Sequence, residues 1–148
     1  MIEGVGSTFT INGFVQLDAS AIGGGGTDSA AGGSGTGGEA YITVSNAATA
    51  GAITITDHVQ VFANGVGGAT DGVGALAGDG FGTLARIEAL NGGDILFRST
   101  QVTAIGRGGF ATQHQGGNGT GGTVRLRAFD TGSTLTIQRN VPQGQTET

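Results

Sequence analysis

The stretch Gly51-Ala52-Ile53-Thr54-Ile55-Thr56-Asp57-His58-Val59-Gln60-Val61 holds two short runs of alternating apolar and polar residues separated by a polar break. Alternation with period two is the pattern of a half-buried strand. The first run stands upstream as Ser7-Thr8-Phe9-Thr10-Ile11 and downstream as Asp94-Ile95-Leu96-Phe97 and Ser133-Thr134-Leu135-Thr136-Ile137. The second run returns as Val15-Gln16-Leu17 and as Val102-Thr103-Ala104, with Val141 starting a further copy. A third strand-like segment recurs as Ala40-Tyr41-Ile42-Thr43-Val44, Ala85-Arg86-Ile87-Glu88-Ala89 and Val124-Arg125-Leu126-Arg127-Ala128. A turn rich in Asn, Asp and Gly follows each of these: Asn46, Asn91-Gly92-Gly93 and Asp130-Thr131-Gly132.

Recurrence at about forty residues is the sequence signature of a stacked array, in which each unit covers its neighbour's apolar face. The expectation is an all-β, parallel β-solenoid of about three and a half coils of about 42 residues. It forms a single repeat domain over residues 1–148, with repeats at about 7–50, 51–92 and 93–132 and a partial one at 133–148. Stacking would align four inward columns: Phe9, Ile53, Ile95 and Leu135; Ile11, Ile55, Phe97 and Ile137; Val15, Val59, Val102 and Val141; Ile42, Ile87 and Leu126. Each aliphatic buried this way contributes about 1.5–3 kcal/mol, so one coil would not stand alone. No segment reads as a helix, because the candidate runs are too short and glycine interrupts nearly everything.

Between the second and third segments lie residues 20–39, 64–83 and 105–123, which hold 25 of the 33 glycines. A flexible surface loop is the plain reading. A spacing of three argues for order instead: Gly23, Gly26, Gly32, Gly35 and Gly38; Gly65, Gly68, Gly74 and Gly80; Gly106 and Gly109; Gly116, Gly119 and Gly122. Three residues per turn is the polyproline II period, and glycine at every third place leaves one bare stripe along such a helix. Each segment is therefore expected to run out and back as two extended polyproline-II or polyglycine-II arms. Arms of successive repeats would then pack by N–H···O=C and Cα–H···O contacts.

Composition narrows the partners. Lysine and cysteine are absent, arginine supplies all six bases, and the net charge is −5. No basic patch is large enough for a run of phosphates, so nucleic acid is not expected, and without lysine there is no P-loop. No apolar run is long enough to span a membrane, and Met1-Ile2-Glu3-Gly4 does not read as a signal peptide.

Motif matches carry little chemistry. Gly33-Ser34-Gly35-Thr36-Gly37-Gly38 and Gly117-Asn118-Gly119-Thr120-Gly121-Gly122 fit G-x-G-x-x-G, but neither opens a helix that would hold a pyrophosphate. Asp28, Asp71 and Asp79 lie in glycine segments without the nonapeptide phase of calcium-binding repeats. No two acids share a column as a two-carboxylate glycosidase requires. His58 and His114 read as surface residues. The threonine column Thr10, Thr54 and Thr136 is broken by Leu96, so the glycine segments are the better candidate for an ice-binding face. No catalytic residue, cofactor or metal ligand is assigned.

The units "GGEAYITVSN", "GTLARIEALN" and "GGTVRLRAFD", alternating with long glycine segments, resemble the repeats of large bacterial surface proteins of the filamentous-haemagglutinin and autotransporter-adhesin type. That resemblance implies secretion to the cell surface, a right-handed β-solenoid shaft, and roles in adhesion, biofilm or surface-layer assembly. The glycine segments depart from it and are similar to the glycine-every-third bundles of springtail antifreeze proteins and some phage tail-tip adhesins. The function expected is a non-catalytic structural segment of an extracellular adhesin or fibre, its partners being neighbouring repeats or head-to-tail copies of itself. The alternatives are an ice- or glycan-binding surface on the glycine arms and, last, a carbohydrate-active β-helix enzyme. Both terminal coils would expose strand edges. The chain is thus read as cut from a longer array or as a filament subunit.

Overall fold

A computed structural model describes residues 1–45 and 51–138. Asn46 and Val141 therefore lie outside the described residues. The described chain is all-β, contains no helix, and pairs every strand in parallel, which is consistent with a β-solenoid.

Five sheets run the length of the stack. The third-segment sheet has the order β1 (Ile2–Val5), β6 (Ala40–Ser45), β11 (Leu84–Leu90), β16 (Thr123–Phe129). The first-segment sheet has the order β2 (Thr8–Ile11), β7 (Ala52–Ile55), β12 (Asp94–Phe97), β17 (Thr134–Ile137). The second-segment sheet is β3 (Val15–Asp18), β8 (His58–Phe62), β13 (Ser99–Thr103). The glycine segments add two narrow sheets: β4 (Ala21–Ile22), β9 (Gly65–Val66), β14 (Gly106–Arg107) on the way out, and β5 (Gly35–Thr36), β10 (Gly80–Phe81), β15 (Gly119–Thr120) on the way back.

Alternation along each strand decides which side chains meet. In the first-segment sheet Phe9 stands opposite Ile53, Ile53 opposite Ile95, and Ile95 opposite Leu135. Ile11 faces Ile55, and Phe97 faces Ile137. In the third-segment sheet Ile42, Ile87 and Leu126 align, and Ile2 joins them at the outer end. Strand β1, invisible to the repeat count, is thus a fourth copy of the third segment, placed ahead of the first β2-type strand. The three wide sheets enclose one core, in which Ile42, Val44, Ile53, Ile55, Val59, Val61, Ile87, Ile95 and Phe97 are almost wholly buried.

The column Val15, Val59, Val102 is corrected by the register. Val15 faces Val59, but the residue beside Val59 in the next coil is Thr100, whose hydroxyl donates to the Val59 carbonyl at 3.2 Å. Val102 aligns instead with Val61 and, one coil further, with Leu17. The physical reason is the corner before β13. Phe97 and Thr100 are joined by Arg98 and Ser99, whereas Ile55 and Val59 are joined by Thr56, Asp57 and His58. Matching valine to valine ignores that one-residue deletion.

Tight corners follow the third segment. Asn91 and Asp130 adopt positive φ of 50° and 74°, a conformation their short polar side chains tolerate better than most. Ladder hydrogen bonds resume immediately after, with Asp94 N donating to Gly51 O at 2.9 Å and Thr134 N donating to Gly93 O at 3.0 Å.

Ile87 has a neighbouring coil on each side, whereas Leu126, in the same column, is 39% exposed in the last one. Ile87→Ala is expected to lower the unfolding free energy by about 2–5 kcal/mol, and Leu126→Ala by clearly less. Urea denaturation followed by circular dichroism measures both; equal losses would contradict one core shared along the stack.

Candidate functional site

The side chains shrink as the walls of the core converge. Beyond Val59 and Val61 the wall continues as Ala63, and beyond Phe97 as Ala104; Ala40 and Ala85 face them at the start of the third segment, and all four are buried. Packed sheets with large side chains sit about 10 Å apart. Alanine narrows that gap and glycine closes it to backbone contact. The glycine segments are where the two walls touch.

Each segment runs outward and returns, and the arms bond in two directions. Along the stack, equivalent arms join: Gly23 N donates to Val66 O and Gly26 N to Ala69 O, at 2.8 and 2.9 Å. On the return arm Gly32 N donates to Leu76 O and Gly35 N to Asp79 O, at 3.0 and 2.9 Å. The donors in each pair are three residues apart. Across the gap, outward and return arms alternate in one chain of bonds through all three repeats. Gly117 N donates to Gly109 O, Gly109 N to Gly78 O, Gly78 N to Gly68 O, Gly68 N to Gly33 O, and Gly33 N to Gly24 O, all between 2.7 and 3.0 Å. A mobile loop would hold none of these bonds.

The closeness explains the glycines. A methyl group on Gly23, Gly26, Gly32, Gly35, Gly65, Gly68, Gly80, Gly106, Gly109, Gly119 or Gly122 would come within 2.6 Å of a neighbouring backbone atom. Three members of the same sequence phase differ. Gly74 has open space and a φ of +77°, so it serves a turn. Gly38 leaves room for a methyl, 3.4 Å from Ala19 Cβ, and at Gly116 a methyl would make one close contact without overlap, 3.3 Å from Gly109 O. Conversely, Gly67, Gly78, Gly82, Gly108 and Gly117 are as tightly packed as any, with backbone atoms within 2.3 Å. A single phase of three misses them because a middle arm is covered on two sides, so two stripes must be bare. The doublets Gly67-Gly68 and Gly108-Gly109 carry that signal.

Side chains leave the arms on the outer faces, while Thr70, Ala75 and Ala77 are buried within the second glycine segment, the Thr70 hydroxyl donating to Ala30 O at 3.2 Å. One face carries the rung Ile22, Val66, Arg107, and the other carries Thr36, Phe81, Thr120. Ile22 and Val66 are both aliphatic but Arg107 is charged, and Phe81 stands between two threonines.

Elsewhere the outer surface of the third-segment sheet holds one buried charge. Glu88 is 1% exposed, accepts from Arg127 Nε at 2.7 Å, and accepts from Arg86 Nη1 at 3.1 Å. It lies between Thr43 and Arg127 in the ladder, and Arg86 stacks over the Tyr41 ring at 4.4 Å. This ion group closes the sheet's outer face between coils.

The other residues singled out from sequence are scattered. Asp28 and Asp71 line one shallow pocket with Ser29, Gly72 and Val73, whereas Asp79 accepts from the Asn118 N–H at 2.6 Å. Among the described residues no group of three His, Cys, Asp or Glu side chains is placed to hold a metal ion. Asp18 stands opposite Phe62, and His58 packs against the Phe14 ring at 4.4 Å. Thr10, Thr54, Leu96 and Thr136 form one column in which the leucine interrupts the hydroxyls. Among the described residues no helix is long and apolar enough to cross a membrane. Comparison with protein families, curated proteins and solved structures finds no match to this chain.

Two substitutions test the arms. Gly78→Ala places a methyl 2.0 Å from Gly33 O and is expected to cost about 1–3 kcal/mol or more, whereas Gly24→Ala, which meets open space, stays within about 1 kcal/mol of wild type. Thermal melts that rank them equally would contradict the packing. Glu88→Ala leaves two arginines without their shared acceptor and is expected to cost about 1–3 kcal/mol, moderated because both arginines keep some water.

Proposed function

We propose that the chain is a non-catalytic structural segment of an extracellular adhesin or surface fibre, a shaft of about three and a half coils whose glycine arms are polyglycine-II-like rods. The observation that carries this reading is the chain of glycine-to-glycine backbone bonds running through all three repeats. Donors three residues apart along each arm fit a threefold helix, and parallel pairing in every sheet fits load transmitted along one axis. The resemblance of the third-segment units to adhesin repeats supplies the surface location, and the self-complementary edges of the stack supply copies of the same chain as its first partner.

A second reading has its own support. The ordered rungs Thr36, Phe81, Thr120 and Ile22, Val66, Arg107 lie at the ladder spacing of about 4.7–4.9 Å, so the arms offer a regular face to ice or to a surface glycan. The breaks in chemistry at Arg107 on one face and at Phe81 on the other favour the structural reading over it. The register does put two acids, Glu3 and Glu88, in one column, but Thr43 separates them and Glu88 is buried against Arg86 and Arg127, which does not support a carbohydrate-active enzyme.

An antibody raised against the chain is expected to label intact producing cells along extended surface material. Label that appears only after permeabilisation would contradict the surface role. Thermal hysteresis or selective binding on a glycan array would move the assignment to the second reading.

A further inference from the structure

Charge is distributed unevenly along the stack. Residues 1–50 contain the acids Glu3, Asp18, Asp28 and Glu39 and no arginine. Residues 98–138 contain Arg98, Arg107, Arg125 and Arg127 against the single acid Asp130. The first coil is thus an acidic end and the last described coil a basic one, although the whole chain is acidic.

Among the described residues, both end coils also carry exposed apolar side chains and strand edges without a partner strand. Strand β1 borders one end of its sheet and β16 the other, and among the described residues no strand pairs with the outer edge of either. Val5 and Phe9 are 53% and 50% exposed at the acidic end, and Phe129 and Ile137 are 54% and 48% exposed at the basic end. Unpaired edges with exposed apolar side chains are templates for addition of a further strand.

We infer that the basic end coil of one copy docks on the acidic end coil of a second copy, in the same parallel register that joins coils within the chain. This rests on the reading of the chain as a fibre segment and names the interface that would extend it. Continuing the ladder places Leu126 on Ile2, Arg127 on Glu3 and Phe129 on Val5. The Arg127–Glu3 pair would repeat across the junction the contact that Arg127 makes with Glu88 inside the chain. The reverse arrangements place acid on acid or base on base, so charge selects head-to-tail growth over end-to-end pairing. The interface is heterologous and generates an open filament.

The test is sedimentation velocity on the full chain across a range of concentrations and salt. Wild type is expected to form a concentration-dependent ladder of masses that shortens as salt screens the ends. Glu3→Arg and Arg127→Glu, each alone, should weaken association about ten-fold or more, and mixing the two should restore it because each new end then meets its opposite charge. Val5→Asp, at an exposed position of the acidic end, should weaken association without depending on the Glu88 pair, and serves if Arg127→Glu fails to fold by circular dichroism. A folded wild type that remains monomeric at every concentration overturns the inference and leaves the shaft reading to the surface-labelling experiment. Association undiminished by Glu3→Arg and by Val5→Asp also overturns it.

Discussion

Direct contact between glycine backbones is the constraint on which the rest of this structure depends. Where Gly67 and Gly78 meet, and again where Gly108 and Gly117 meet, a single methyl group would overlap a carbonyl. Closing the gap so far removes side chains as a means of packing and leaves amide–carbonyl bonds as the main link between the layers. One such bond contributes a net of about 0.5–1.5 kcal/mol, whereas ordering a residue costs about 1–2 kcal/mol. Arms of this kind do not stand by themselves. They persist because the aliphatic core clamps both ends of every glycine segment and because each new coil adds bonds in two directions at once.

The taper from core to arm follows from the same geometry. Large side chains at Ile42, Ile87 and Phe97 hold the walls apart, Ala63 and Ala104 bring them together, and glycine lets them touch. Size therefore falls along the second segment and rises again into the third. The register that aligns Ile53 with Ile95 in the core also aligns Gly65 with Gly106 in the arms, so one slip would damage both. Core and arms enforce each other's alignment, which is why repeats that tolerate small changes in length at the corners keep the same pairing within the sheets.

Much of this was legible because it is periodic. Alternation in Phe9-Thr10-Ile11 and its copies marks strands, and repetition at a fixed distance marks parallel stacking, so the all-β parallel architecture follows from pattern alone. The corner before β13 was not legible, because losing one residue there moves Thr100 into the place that Val102 takes by chemical likeness. Strand β1 was missed because Ile2-Glu3-Gly4-Val5 is a truncated copy lacking the Ala-Tyr, Ala-Arg or Val-Arg start of the others. In the arms, the spacing of three found one stripe of glycines. The second stripe, at Gly67, Gly78 and Gly117, needs knowledge of how many layers cover an arm, which only the fold supplies. The candidate surfaces were less legible still: the outer rungs obey no residue preference, and the Glu88 ion group depends on neighbours about forty residues away in the chain.

The central claim is that the glycine segments are ordered by mutual backbone bonds and not merely tethered by the core. Native-state amide hydrogen exchange, read residue by residue, tests it most directly. The account predicts that the amides of Gly68, Gly78 and Gly109 exchange almost as slowly as that of Ile87. Exchange of those three at rates typical of an unfolded chain, with Ile87 still protected, would contradict it.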